Sequence, residues 1–305
     1  MKNIPKLHYL KIFQSIIQHG SIRSAAKSLN QTQPALTRAM NELEKMLGTC
    51  LMVRGTRGVI LTEAGKLFIP RMQLALNELE RAVNELEHIS HTARGTVNIG
   101  SSCLFSMTVL PLAIQRFQKR FPKVNIHLSE GQIPELLEAV RCGKLDFIIG
   151  ATLNSCLSNE FIEEHLFTTS FRVLARRGHP LAYCSSLKEL RKANWYLPMS
   201  SYGYYRHLDT ILFPEKQQNM PRVVRGNEAL MRLQMVLNAD FLTVGAQCIP
   251  NVPSLKKLLC YIPIMEILPD GSYSFIYSQR LPLTTVAKNL MSELRKEIEN
   301  YPWNA

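Results

Sequence analysis

A short segment near the amino end carries side chains that could read the edges of DNA bases. With Ser21 and Arg23 just upstream, the set is Thr32, Gln33, Pro34, Ala35, Thr37 and Arg38. Amide, hydroxyl and guanidinium groups hydrogen-bond to base edges and phosphates, and a small apolar side chain such as that of Ala35 can contact a thymine methyl group. This chemistry requires a helix that fits the major groove, so the surrounding residues must supply one.

The surrounding periodicity predicts three helices. Apolar residues recur at helical spacing from about 6 to 19, and Gly20 ends that helix. Ser21 is a suitable N-cap for the second helix. Thr32 caps the third, in which Pro34 occupies the first turn, where no amide hydrogen is needed. A short helix, a tight turn and a helix with polar residues at its start form the helix-turn-helix pattern.

A predicted hairpin follows the third helix. Two β-like runs, Cys50–Arg54 and Gly58–Leu61, are joined by Gly55-Thr56-Arg57. Such a hairpin is typical of a wing, and the guanidinium groups of Arg54 and Arg57 could reach phosphates or the minor groove.

The charge distribution agrees with a basic module at the amino end. The chain has 305 residues and a formal charge of +12. Residues 1–58 carry nine basic and two acidic side chains, residues 59–92 carry three and five, and residues 93–305 carry 24 and 17. Positive charge is therefore densest at the start, which favours a polyanionic partner there over diffuse surface charge. The composition, 46% hydrophobic and 20% charged, is that of a folded protein and not of a disordered one.

A long helix with one apolar seam is predicted next, over residues 62–92. The seam residues alternate at steps of three and four: Ile69, Met72, Leu76, Leu79, Val83 and Leu86. This heptad spacing favours pairing with a second copy, while a helix lying on its own domain stays open as the alternative. Pro70 removes one helical hydrogen bond, so we expect a bend over about 66–70.

Strands and helices alternate from residue 93 onward, which predicts a parallel sheet covered by helices. Later elements expected in this part include a strand over Ser170–Ala175, a helix over Ser186–Arg191 and a strand near Ile262–Ile264. In open α/β sheets, ligands bind at the carboxyl ends of strands. The loops expected there contain hydroxyl and amide groups suited to a carboxylate: Ser101, Ser102, Cys103, Gln132, Ile133, Ser200, Ser201, Tyr202 and Gly203.

Catalytic and metal-binding patterns are not found. Gly65-Lys66 precedes Leu67 where a phosphate-binding loop needs Ser or Thr, and the eight histidines have no metal-ligand spacing. The seven cysteines are odd in number and none forms a C-x-x-C pair, which is typical of a reducing cytosol. We therefore expect a cytoplasmic protein that is not an enzyme and uses no cofactor or metal. No apolar run is long enough to span a membrane.

Residues 6–65 resemble the N-terminal domain of LysR-type transcriptional regulators. The matching stretches are Gly20-Ser21-Ile22 with Ala25-Ala26, Leu29-Asn30, Thr32-Gln33-Pro34-Ala35-Leu36-Thr37, Leu43-Glu44 before Leu47-Gly48, Leu51-Met52-Val53-Arg54, and Leu61-Thr62-Glu63-Ala64-Gly65. Met52 stands where the family usually has Phe. The C-terminal part is similar in fewer places, such as Gly143-Lys144-Leu145-Asp146, and it departs from the family at Gly245-Ala246-Gln247.

The resemblance implies a fold with three parts. They are a mostly α winged helix-turn-helix over 1–61, a linker and dimerisation helix over 62–92, and an α/β effector domain over 93–305. The effector domain would have the two-lobed type 2 periplasmic-binding-protein fold, with lobe 1 about 93–168 and 272–305 and lobe 2 about 169–271. The implied partners are double-stranded promoter DNA with a two-fold-related site, a small-molecule effector, further copies in a dimer or tetramer, and RNA polymerase.

Two alternatives remain open beside an effector-switched regulator. One is a regulator that senses oxidants through a thiol, for which Cys103 is the best-placed cysteine. The other is a free solute-binding protein, which would have no use for a basic amino-terminal module.

Overall fold

The computed structural model describes residues 4–55, 58–87, 95–152, 158–199, 208–213 and 222–303, without the side chains of Arg54 and Glu87. The chain divides into two compact units. The N-terminal unit comprises Met1–Asn84 with Arg141–Lys144, and the C-terminal unit comprises Glu85–Val140 with Leu145–Ala305. No helix among the described residues is long and apolar enough to cross a membrane.

The N-terminal unit has three helices, a hairpin and a long helix. They are α1 Leu7–His19, α2 Ile22–Ser28, α3 Gln33–Leu47, β1 Met52–Gly55, β2 Gly58–Leu61 and α4 Glu63–Glu87. Gly20 and Gly48 end α1 and α3 in the left-handed conformation, with φ of 71° and 69°. The Ser21 hydroxyl accepts from the Ser24 amide and so caps α2 as predicted. Thr32 occupies the N-cap position of α3, but the predicted cap is wrong in one respect, because its side chain makes no capping hydrogen bond.

The core of this unit joins all three short helices. Its fully or nearly fully buried members are Ile12, Phe13, Ile16, Ile22, Ala25, Ala26, Leu36, Ala39, Met40, Leu43, Leu51, Met72 and Leu76. The small side chains of Ala25 and Ala26 let α2 approach its neighbours closely. Burial of each large apolar side chain contributes about 1.5–3 kcal/mol.

The seam of α4 divides into two halves. Met72 and Leu76 are each 2% exposed and belong to the core of the N-terminal unit. Leu79, Val83 and Leu86 are 52%, 56% and 68% exposed in the single chain. The helix is assigned without interruption through Pro70. The first half therefore lies on its own domain, and the second half presents an apolar stripe.

Polar contacts connect α3, β1 and the start of α4. One carboxylate oxygen of Glu44 accepts from the amides of Leu51 (2.7 Å) and Met52 (3.2 Å). The Thr62 hydroxyl donates to the Cys50 carbonyl (2.7 Å) and accepts from the Gly65 amide (3.1 Å), which caps α4. These bonds fix where the hairpin leaves α3 and where α4 begins.

The C-terminal unit is built on one twisted sheet. Its strands are β3 Gly95–Ser101, β4 Val124–Glu130, β5 Phe147–Thr152, β6 Phe161–Arg176, β7 Asn194–Leu197, β8 Val223–Arg225, β9 Phe241–Ala246, β10 Leu259–Tyr261 and β11 Asp270–Ser278. Its helices are α5 Cys103–Met107, α6 Leu110–Arg120, α7 Ile133–Arg141, α8 Leu208–Leu212, α9 Ala229–Asn238 and α10 Thr285–Glu299. The strand order is β4-β3-β5-β11-β6-β9-β7-β8, and β10 pairs with β6.

The sheet is mixed, so the predicted parallel sheet is correct only for its two ends. Strand β3 is parallel to β4 and β5, and β7 is parallel to β8 and β9. Between these ends, β6 and β11 run antiparallel to each other and to their other neighbours. Strand β6 is 16 residues long, so the strand predicted at Ser170–Ala175 is only its second half.

One further expectation for this unit is wrong, and one expected strand is displaced by a few residues. Residues 186–191 form successive turns and not an α-helix, because amides bond to carbonyls three residues back and the Glu189 carboxylate accepts from the amides of Ser185 and Ser186. The strand expected near Ile262–Ile264 lies just before it, at Leu259–Tyr261, where it pairs with β6. The Glu189 side-chain bonds account for the turns, and backbone pairing with β6 accounts for the position of the strand.

We predict that Glu44→Ala lowers the free energy of unfolding by about 1–3 kcal/mol, because two backbone amides lose their acceptor. Urea denaturation followed by circular dichroism measures the change. Glu42→Ala is the matched control, since Glu42 is an exposed acid on the same helix. Equal stability of the two variants would contradict the role given to Glu44.

Candidate functional site

The start of α3 presents a polar face outside the core. Gln33, Pro34, Ala35 and Arg38 are exposed, and Thr37 is half-buried with its hydroxyl donating to the Gln33 carbonyl (3.0 Å). The opposite face buries Leu36, Ala39, Met40 and Leu43. Helical periodicity thus separates the anchoring residues from those predicted to contact DNA, and the latter share one face.

The hairpin is tied to the turn between α1 and α2. The Val59 amide donates to the Gly20 carbonyl (3.0 Å). Gly58 has φ of +131°, and a Cβ there would lie 2.5 Å from the Gly20 oxygen, so only glycine fits. A groove of about 200 Å³ is lined by Ser21, Ile22, Arg23, Gln33, Gly55, Gly58 and Val59. The structure therefore brings the base of the hairpin beside the starts of α2 and α3.

Two positively charged side chains at this surface, those of Arg23 and Arg38, are available to a ligand. Within the described residues, neither Arg23 nor Arg38 is in an ion pair, and both are exposed. The backbone of Arg54 lies in β1 while its side chain is not described, and Arg57 lies outside the described residues. The hydroxyl of Ser21 is used within α2, where it accepts from the Ser24 amide and donates to the Ser24 hydroxyl.

The C-terminal unit contains a cavity of about 370 Å³ at the carboxyl ends of its parallel strands. Four of the residues predicted to bind an effector line it: Ser102, Cys103, Gln132 and Ile133. Ser101 does not line the cavity, because it is 2% exposed and its hydroxyl donates to the Ser102 carbonyl. The expected contacts at Ser200, Ser201, Tyr202 and Gly203 lie outside the described residues.

Several lining residues were missed from sequence. They are Glu130, Glu135, Asn227, Glu228, Arg232 and Tyr273. Asn227 and Glu228 follow the end of β8, and this position after a strand is a signal that could have identified them. Arg232 lies one turn into α9, and only the folded sheet places that turn beside α5.

A hydrogen bond connects two elements across the cavity. The Arg232 guanidinium in α9 donates to the Cys103 sulfur at the start of α5, at 2.8 Å. Sulfur is a weak acceptor, so an anionic oxygen would be a stronger partner for this guanidinium. Next to it, the Ser102 hydroxyl oxygen is buried and has no hydrogen-bond partner among the described residues.

The cysteines differ in their surroundings. None of the six described ones is in a disulfide bond: Cys50, Cys103, Cys142, Cys184, Cys248 and Cys260. Burial raises the pKa of Cys248 to about 11, and burial also raises the pKa of Cys184 and Cys260. Among the residues that the structure describes, no cluster of three His, Cys, Asp or Glu side chains could hold a metal ion.

We predict that iodoacetamide labels Cys50 much faster than Cys248 near pH 8. A thiol with a raised pKa stays protonated at that pH, and only the thiolate reacts. Mass spectrometry of peptides from the native protein measures both rates. Labelling after denaturation in urea is the control in which the two sites should become equivalent, and comparable rates in the native protein would contradict the assignment.

Comparisons with known proteins match both units. A family profile described as the lysR family of bacterial regulatory helix-turn-helix proteins matches residues 7–66, and one described as the LysR substrate binding domain matches residues 90–299. The HTH-type transcriptional regulator TdcA of Escherichia coli K12 is 34% identical over 301 residues, which cover 98% of this chain and 95% of TdcA.

Two solved structures have a similar fold. Full-length CbnR in complex with its target DNA has a TM-score of 0.68 and 18% identity, covering 96% of this chain and 99% of CbnR. A full-length OxyR variant of Pseudomonas aeruginosa has a TM-score of 0.66 and 17% identity, covering 99% of this chain and 97% of OxyR.

Proposed function

The chain belongs to the LysR family of transcriptional regulators, which are not enzymes, and from that premise we propose which surfaces bind DNA and which molecule switches the protein. The N-terminal unit binds promoter DNA with the start of α3 in the major groove and the hairpin on the backbone or minor groove. The C-terminal unit binds a small effector through a carboxylate. The observation that carries this proposal is the exposed polar face of α3 beside the hairpin, with Arg23 and Arg38 in no ion pair within the described residues.

The DNA contacts fall into two kinds. Gln33, Thr37 and Ala35 face the base edges, while Arg23, Arg38 and the hairpin arginines neutralise phosphates. Thr32, Pro34 and Ser21 set the starts of α3 and α2 and bring backbone groups to the phosphates. Arg54 and Arg57 belong to this proposal on the position of the hairpin alone.

We predict that Arg38→Ala weakens binding to a promoter fragment and lowers the slope of log affinity against log salt by about one, because one phosphate contact is lost. Fluorescence anisotropy from about 50 to 200 mM salt measures the slope. Lys45→Ala is the matched control, because Lys45 is an exposed cation in the last turn of the same helix. An equal loss in both variants, or affinity that is independent of salt, would contradict the proposal.

The effector site is proposed at the cavity of the C-terminal unit. Arg232 supports it, because its guanidinium can exchange the Cys103 sulfur for a carboxylate oxygen with two parallel hydrogen bonds. The Ser102 hydroxyl and the loop at Gln132 and Ile133 add further polar groups, and residues 200–203 are expected to complete the site. Ligand binding would close the two lobes, 93–168 with 272–305 against 169–271, and the change would alter how the regulator holds or bends its DNA.

We propose that copies of the chain assemble through the exposed half of the α4 seam. This seam belongs to a linker over 62–92, which separates a DNA-binding domain over 1–61 from an effector domain over 93–305. Pairing of two such helices would bury Leu79, Val83 and Leu86, which the single chain leaves exposed. A two-fold dimer or a tetramer then presents DNA-binding domains to a two-fold-related site, and transcription is regulated through contact with RNA polymerase.

We predict that the double variant Leu79→Asp, Val83→Asp lowers the oligomeric state, because two buried charges would oppose helix pairing. Size-exclusion chromatography with light scattering measures the mass. Leu67→Asp is the control, since Leu67 is 75% exposed on α4 but lies outside the seam. An unchanged mass for the double variant would exclude this pairing surface.

A thiol switch at Cys103 is the second candidate function. The contact of Cys103 with a guanidinium favours it, because cationic neighbours are found around reactive cysteines. Peroxide would convert the thiol to a sulfenic acid with release of water. The iodoacetamide measurement, repeated after peroxide treatment, distinguishes the two: loss of labelling at Cys103 together with loss of DNA binding supports a thiol switch, and unchanged DNA binding excludes it.

A further inference from the structure

The cavity of the C-terminal unit is lined by charges of both signs. Of its described residues, Arg232 is positively charged, and Glu130, Glu135 and Glu228 are negatively charged. Among the lining residues that the structure describes, the net charge is therefore negative, although the whole chain carries +12. A ligand selected for negative charge alone would meet one guanidinium and three carboxylates among these described residues.

The three carboxylates have no ion-pair partners within the described residues. Glu130 ends β4, Glu135 lies in the first turn of α7, and Glu228 precedes α9. Each thus stands at an element end that opens on the cavity. Elsewhere in the unit, acids such as Glu297, Glu164 and Asp240 are paired with arginines. Carboxylates without an ion-pair partner at the lining of one cavity are suitable acceptors for a bound cation.

The structure shows which groups lie next to the Glu135, Glu228 and Arg232 side chains. The Glu135 carboxylate lies 3.6 Å from where a Cβ on Gly131 would be, so it covers the backbone at the end of β4. The Glu228 carboxylate lies 3.3 Å from the corresponding position on Gly226, beside the Tyr196 hydroxyl. Burial raises the pKa of Tyr196, the Glu228 charge raises it further, and the Arg232 charge lowers it, which agrees with both charges lying near that hydroxyl. Arg232 also donates to Cys103, and Arg232 together with the buried Ser102 hydroxyl supplies groups that can bind an anion.

We propose that the effector is a small zwitterion of the amino-acid type, with its carboxylate on Arg232 and Ser102 and its ammonium facing Glu130, Glu135 and Glu228. This inference rests on the proposed effector site and adds the requirement for a positive charge. A plain carboxylate would bind Arg232 but leave the three acids without a cation, and a plain amine would bind the acids without using Arg232. A cavity of about 370 Å³ is at the small end of ligand sites and suits a molecule of this size.

The test is isothermal titration calorimetry of the full-length protein with the standard L-amino acids. For each one that binds, the carboxylate lacking the amino group and the amine lacking the carboxyl group are titrated as matched probes. We expect at least one amino acid to bind and both matched probes to bind about tenfold or more weakly, since each loses a charge-assisted hydrogen bond. Equal binding of the deaminated carboxylate, or binding of no amino acid, overturns the zwitterion.

Variants separate this inference from the proposed function. Glu135→Gln and Glu228→Gln keep the side-chain shape, and together they should weaken the amino acid about tenfold or more while leaving the deaminated carboxylate unaffected. Glu299→Gln is the control, an exposed acid of α10 that does not line the cavity. Arg232→Gln should weaken both ligands. Circular dichroism checks that each variant is folded.

Failure of the zwitterion inference and failure of the proposed carboxylate site give different results. If the glutamine variants bind the amino acid as tightly as the unchanged protein, the zwitterion is wrong and the carboxylate site stands. If Arg232→Gln weakens neither ligand, the carboxylate site itself is wrong.

Discussion

The antiparallel pairing of β6 with β11 is the contact on which the C-terminal unit depends. The first half of β6 pairs with β11, and its second half pairs with β9 and β10, so one strand joins the two parallel ends of the sheet. A Cβ on Gly271 would overlap the Phe171 ring, so glycine lets these strands approach. Phe171 and Tyr273, one from each strand, both line the cavity. The cavity therefore lies beside the central pair of β6 and β11. On one side are strand ends of the parallel group β3, β4 and β5, and on the other are strand ends of the parallel group β7, β8 and β9.

Aromatic packing stabilises this central pair. The Phe167 ring stacks on Tyr273 (5.0 Å between centroids) and on Trp303 (4.0 Å), and Phe105 meets all three edge-on. The indole nitrogen of Trp303 donates to the Ile298 carbonyl, and the Thr169 hydroxyl donates to the Trp303 carbonyl. Residues near the end of the chain thus fasten α10 to the strand that crosses the sheet. Since α5 begins at Cys103, the same cluster also supports the cavity wall through Phe105.

Local charge and total charge lead to different conclusions about ligands. In the N-terminal unit, the excess of basic residues in the sequence is also found on the exposed surface. Arg23 and Arg38 are exposed there without acidic partners among the described residues. In the C-terminal part, residues 169–271 carry 13 basic and seven acidic side chains, whereas residues 93–168 with 272–305 carry 11 and ten. The excess positive charge there belongs to residues 169–271, yet the cavity-lining residues that the structure describes are negative in sum. Total charge thus favours an anionic effector, and the arrangement of the acids favours a dipolar one.

The sequence by itself determined the elements whose signals are local. Helix ends at Gly20 and Gly48, the Ser21 cap, the hairpin and the separation of the α3 faces follow from backbone preferences and periodicity within a few residues. Ser102, Cys103, Gln132 and Ile133 could be found because they follow predicted strands. Tertiary structure decided what depends on distant partners: the long β6, the turns at 186–191, and the burial of only half the α4 seam. It also decided the position of Arg232, because only the folding of the sheet brings α9 within hydrogen-bond distance of Cys103, 129 residues away in the chain.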